Sequence, residues 1–208
     1  MSDSCHEANS PKITTALLLA AGTGSRLQPL TLDAPKCLTE VGGIPILERL
    51  VNNLRAQGFN RLVVVIGHLG GCIQDFLEQY ASGMQIDYVT NPDYRTTNNL
   101  YSLWLARQQV TESFLLVESD LVFEPWMLDD LLYPDRIAIS KILPWMNGTT
   151  VELGIEPRLE KRVTAFHMGD DICDSIHRYK TVNICSLSLS SWQKIEKILS
   201  HYVEEGRL

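Results

Sequence analysis

Two hydrophobic periods alternate along the first part of this 208-residue chain. Residues 13–20 form a short, apolar-rich run ending in LLLA, the pattern of a strand buried on both faces. Residues 62–66 (LVVVI) repeat it, and 85–90 and 114–117 read as two further strands. Between these runs the period becomes helical. Ile46, Leu47, Leu50, Val51 and Leu54 recur on one face behind Pro45, which is expected at the first helical position, and Gly58 is expected to end the helix. Gly70 and Gly71 precede a second helix that carries Ile73, Phe76, Leu77 and Tyr80 on one side, and 98–110 form a third. Strands alternating with helices predict right-handed βαβ units and a mostly parallel sheet.

The pattern changes after Pro125. A short helix over 126–132 leads into an extended segment at 136–142, and strand-like stretches follow near 149–155, 162–167 and 181–189. A last helix runs from Ser191, its expected N-cap, to about Glu204. The expected organisation is a polar tail at 1–12 and one domain at 13–208. That domain divides into a first half (13–125) of alternating strands and helices and a second half (126–208) completing a mixed sheet.

Composition narrows the function classes. Hydrophobic residues make up 45% and charged residues 21%, a globular profile. No apolar run approaches the roughly 18 residues of a membrane span, and the tail lacks a signal-peptide core, so no membrane partner and a cytoplasmic location are expected. A net charge of −7 without a Lys/Arg run argues against nucleic acid. Five cysteines, none in a C-x-x-C pair, argue against zinc and disulfide frameworks. Only Cys37 stands beside candidate chemistry. Oligomeric state is not set by the pattern, and a homo-oligomer is compatible with it.

The candidate chemistry lies in Ala20-Ala21-Gly22-Thr23-Gly24-Ser25-Arg26-Leu27, directly behind the first strand. Open α/β sheets bind ligands at that edge. The dinucleotide pattern G-x-G-x-x-G fails because Leu27 occupies its third glycine position, and the Walker A pattern fails because Leu27 and Pro29 stand where its second glycine belongs. What remains is G-x-G-x-R, with Pro35-Lys36 ten residues further on. Small residues at Ala20, Ala21, Gly22, Gly24 and Ser25 let backbone N–H groups approach a triphosphate. Arg26 adds a planar fork of donors, and Lys36 a point charge from the other side. A tight turn carrying two solvated cations is the alternative reading of these residues alone.

The segment LLLAAGTGSRLQPLTLDAPKCLTEVGGIPILERLVNNL, 17–54, resembles the N-terminal signature of the sugar-phosphate nucleotidylyltransferase superfamily. The resemblance implies a Rossmann-like α/β fold, a mixed and mostly parallel sheet sandwiched by helices. It also implies attack of an acceptor phosphate on the α-phosphate of a nucleoside triphosphate, with magnesium and release of pyrophosphate. Residues 91–103 fit N-x-x-Y-x-x-x-N-N-x-Y-S-L, which is similar to the cytidylyltransferases that activate phosphocholine or 2-aminoethylphosphonate. That likeness implies CTP as nucleotide, with Asn91 and Asn98 against the base; as a local alternative, Asn98 N-caps the third helix.

Asp120, in Glu118-Ser119-Asp120 at the end of the fourth strand, is by the same resemblance one of two magnesium ligands. The family's second ligand follows the last helix. The chain ends at Leu208 without a clear counterpart and is expected to be cut short of it, leaving Asp170, Asp171 and Asp174 as loop carboxylates. For the acceptor, Trp145 offers a cation–π face or is simply a half-buried tryptophan, and the resemblance places Lys180 and Asn183 on a bordering strand. Two other functions compete: a sugar-1-phosphate nucleotidylyltransferase using dTTP, UTP or GTP, and a non-catalytic nucleotide-binding regulatory domain.

Overall fold

The computed structural model describes residues 11–155, 161–168 and 177–207. The chain separates into two compact units, Met1–Arg136 with Cys185–Leu208, and Ile137–Ile184.

The first unit is built on β1 (Thr15–Ala20), followed by a two-stranded ribbon of β2 (Glu40–Val41) and β3 (Ile44–Pro45), then α1 (Ile46–Ala56), β4 (Arg61–Ile66), α2 (Gly70–Tyr80), β5 (Gln85–Thr90), α3 (Asn99–Leu105) and β6 (Phe114–Glu118). Strands run in the order β5-β4-β1-β6, and each of these pairings is parallel. Leu17 lies beside Val63 on one side and Leu116 on the other. Every residue of β1 is buried, as the unbroken apolar run predicts. Because side chains alternate along a strand, Leu17, Leu19, Val63 and Val65 share one face, where they pack with Leu103, Ala106, Trp192 and Leu199. Leu18, Leu62 and Val64 face the other way and are equally buried. Burying each such side chain contributes roughly 1.5–3 kcal/mol.

In the second unit, β7 (Arg136–Ser140) and β8 (Thr150–Leu153) precede β9 (Val163–His167) and β10 (Arg178–Leu187). β8 pairs antiparallel with both β9 and β10. The end of β10 and α4 (Leu189–Glu204) return to the first unit. The architecture is therefore the mixed, mostly parallel sheet flanked by helices that the sequence implies.

Several boundaries differ from expectation. Pro45 is extended (φ −56°, ψ 141°) and precedes α1 rather than starting it. The N-cap of α4 is Ser188, whose Oγ accepts from the Ser191 N–H at 3.1 Å; Ser191 is the donor of that cap. The third helix is α-helical only to Leu105 and continues as a 3-10 turn, where Arg107 donates to the Trp104 carbonyl at 3.0 Å and so satisfies one of the carbonyls a helix end leaves open. Residues 126–132 form two 3-10 turns instead of one helix. Among the described residues no helix is long and apolar enough to cross a membrane.

Candidate active site

At the carboxyl edge of β1 and β6 a cleft is lined by Leu19, Ala20, Gly22, Gly24, Ser25, Arg26, Lys36, Cys37, Asn99, Glu118, Ser119 and Asp120. All belong to the first unit. Gly24 has to be glycine for two reasons. Its φ of +65° is left-handed, and a Cβ there would stand 3.0 Å from Thr31 Cγ2 and 3.2 Å from Lys36 Cβ. The Thr31 hydroxyl donates to the Gly24 carbonyl at 2.9 Å and pins the loop. Nothing lies within 4 Å of where a Gly22 Cβ would be, so that space stays open to the cleft. Ser25 and Arg26 follow on an exposed 3-10 turn.

Lys36 opens a second 3-10 turn, anchored by the buried Cys37. Burial pushes the Cys37 thiol up to about 12, so it stays protonated and is no nucleophile at neutral pH. The Lys36 ammonium forms an ion pair with Asp120 Oδ2; both side chains are only partly exposed. Asp120 sits in the turn just beyond β6 rather than on the strand itself. Glu118, the last residue of β6, accepts a hydrogen bond from Asn99 Nδ2 at 3.0 Å.

Sequence reasoning missed Asn99 and Glu118. Glu118 was visible only as the start of Glu118-Ser119-Asp120, and no local signal joins it to the first residue of α3. Also missed was Gly67, where a Cβ would meet the Ala21 carbonyl oxygen and Tyr94 Cβ, each at 2.8 Å. Ala21 itself is buried behind the cleft, its carbonyl accepting from the His68 N–H at 3.0 Å.

The two asparagines expected against a base both have hydrogen-bond partners within the chain. Asn91 is 1% exposed, and its amide is consumed within the chain. Nδ2 donates to Thr97 Oγ1 (3.1 Å) and Ser102 Oγ (3.0 Å), while Oδ1 accepts from the Asp93 N–H (2.9 Å). Asn91 braces the segment that carries Asn99. Asn98 is the N-cap of α3, its Oδ1 accepting from the N–H groups of Leu100 and Tyr101. Neither lines the cleft.

The candidate acceptor residues belong to the second unit. Trp145 is 76% exposed, not half-buried. Lys180 Nζ donates to the carbonyls of Thr149 (3.1 Å) and Thr181 (3.0 Å). Asn183 has a left-handed backbone (φ 57°) and accepts from the Thr181 hydroxyl at 3.3 Å. Asp170, Asp171 and Asp174 lie outside the described residues.

A glycine-lined loop, two cations and two carboxylates thus converge at one sheet edge. Residues 16–135, more than half of the chain, match the MobA-like NTP transferase domain, and the chain belongs to that family. It is 37% identical to the CTP:phosphoglutamine cytidylyltransferase of Campylobacter jejuni, over 74% of this chain and 70% of that one. It is 41% identical to the CMP-5'-(3-aminopropyl)phosphonate synthase of Streptomyces rubellomurinus, over 65% of this chain and 22% of that protein. Among solved structures, the CTP:phosphocholine cytidylyltransferase of Streptococcus pneumoniae superposes with a TM-score of 0.68 over 94% of this chain and 79% of its own; at 22% identity this shows the fold alone. The chain spans only 22%, 49%, 31% and 51% of the length of four curated relatives it matches.

Proposed function

We propose that this protein is a cytidylyltransferase, transferring CMP from CTP to a small phosphate or phosphonate acceptor that also carries an amino or quaternary ammonium group, with release of pyrophosphate. The observation that supports it most is the convergence of Gly22, Gly24, Arg26 and Lys36 with Asp120 in one cleft. The cytidylyl and aminophosphonate names of the relatives support CTP as the nucleotide and this acceptor class. We place the reaction in the cytoplasm.

The chemistry is displacement in line at the α-phosphorus by an acceptor oxygen that is already anionic, so no general base is required. The loop N–H groups and Arg26 hold the triphosphate, and Lys36 offsets charge on its oxygens. Asp120 and Glu118 present the hard oxygen donors that magnesium favours. Among the described residues no three His, Cys, Asp or Glu side chains group to hold a metal unaided, which suits an ion completed by phosphates and water. Magnesium would supply electrostatic stabilisation of the α-phosphate and acceptor oxygens. Asn91 acts as a positioning residue for the segment 91–99, and Trp145, Lys180 and Asn183 are assigned to the acceptor side.

Lys36→Ala should lower kcat/KM for pyrophosphate release by the equivalent of about 2–4 kcal/mol, as loss of other anion-stabilising donors does. Wild-type turnover by that variant would remove Lys36 from the mechanism. In the same assay CTP should exceed UTP and dTTP at least tenfold; equal use would favour a sugar-1-phosphate enzyme, and no turnover with tight binding would favour a regulatory domain.

A further inference from the structure

We infer that Lys36 is the resident counter-cation of Asp120, standing in the metal's place until phosphate draws it away, so that metal and triphosphate enter the cleft together. The inference rests on the reading of this cleft as a metal–nucleotide site. It starts from an ion pair the proposed reaction does not need. Lys36 Nζ is bonded to Asp120 Oδ2, one of the two carboxylates that the proposed reaction gives to the metal. The pairing is specific, because Arg26 lines the same cleft yet forms no ion pair with Asp120 among the described residues.

The path of the lysine makes an exchange feasible. Its backbone is held in the 3-10 turn above the buried Cys37, and its Cβ lies 3.2 Å from the point where a Gly24 Cβ would be. The stem therefore leaves the chain beside the phosphate-binding loop and ends at Asp120. The proposed exchange asks of Lys36 only rotation about its own side-chain bonds, toward that loop. A divalent ion alone must expel the ammonium from Asp120 and leave it to compete with the metal for Glu118, the other carboxylate of the cleft. A metal–triphosphate complex offers the ammonium a new anion at the same moment, so each charge exchanges one partner for another. Metal and nucleotide are thereby coupled, and the coupling acts equally on both ligands.

Manganese, a paramagnetic stand-in for magnesium, tests this on the whole chain by the loss of its free-ion electron spin resonance signal. Without nucleotide, Lys36→Met should bind manganese at least tenfold more tightly than wild type, with Lys36→Gln as a second variant should the first not fold. Arg26→Gln, which removes a cleft cation not paired with Asp120, should gain less than threefold, and Asp120→Asn added to Lys36→Met should abolish the gain. Lys36→Arg, retaining a cation for Asp120, should stay near wild type. The inference is overturned if Lys36→Met and Lys36→Gln bind no tighter than wild type, if Arg26→Gln gains as much, or if Asp120→Asn leaves the gain intact. Wild-type protein that binds neither manganese nor a non-hydrolysable CTP analogue would instead contradict the metal–nucleotide reading itself, and the exchange with it.

Discussion

Leu17, Leu18, Val63 and Val64 in the first unit are wholly buried, whereas Trp145, Ile155, Phe166 and Met168 in the second are 62–87% exposed. The two units also use their polar groups differently. In the first, cations and carboxylates are gathered at the open end of strands packed on both faces. In the second, Lys180 and Thr181 bond to nearby carbonyls. A parallel strand buried on both faces has no freedom to shift register, because a one-residue slip would exchange its two packed faces. That rigidity delivers Gly22 and Asp120 to the same edge although they come from separate strands. The second unit buries Val151 and Ile184, but its exposed apolar groups contribute little to folding.

The contrast predicts unequal responses to truncation. Leu17→Ala should lower unfolding free energy by about 2–5 kcal/mol, through lost burial and the cavity left behind, while Phe166→Ala should stay within about 0.5 kcal/mol. Denaturant unfolding of both variants checks this, and an equal loss at Phe166 would show that its ring is covered in the folded protein.

Glycines sharpen the same comparison within the first unit. Gly67→Ala must force a Cβ against the Ala21 carbonyl and Tyr94, an overpacking expected to lower stability by about 1–3 kcal/mol. Gly71→Ala meets nothing within 4 Å on α2 and should be neutral or stabilising by up to about 1 kcal/mol. Equal thermal midpoints for the two variants would mean that the Ala21–Gly67–Tyr94 contact yields easily.

The mildest test leaves stability untouched. At pH 8 an alkylating reagent should label the exposed Cys72 and spare Cys37 and Cys185, whose thiols burial pushes up to about 12 and about 11. Mass spectrometry under native and denaturing conditions separates them. Rapid labelling of Cys37 in the native protein would show that the turn carrying Lys36 opens.

The long-period features were legible beforehand. Residues 62–66 and the stripe from Ile46 to Leu54 state their own structure, because burial on two faces or one demands a pattern that survives in sequence. The cap of α4 misled, because Ser188, Ser190 and Ser191 all have the right chemistry and only the backbone path selects among them. Asn91 was expected against the base from its residue type, and in the fold its amide bonds the Thr97 and Ser102 hydroxyls. An amide matches a pyrimidine edge and the Thr97 and Ser102 hydroxyls equally well, and nothing local distinguishes the two.

The sequence by itself determined the alternation of strand and helix, the glycine loop behind β1, and the residue types available for phosphate and metal. These depend on periodicity and on backbone freedom, which are properties of neighbours in the chain. Only the tertiary structure decided which of those residues meet: Lys36 with Asp120, Asn99 with Glu118, and Gly67 against Ala21 and Tyr94. Each is a contact between distant segments, set by strand order and by the room left after packing. A linear pattern carries neither.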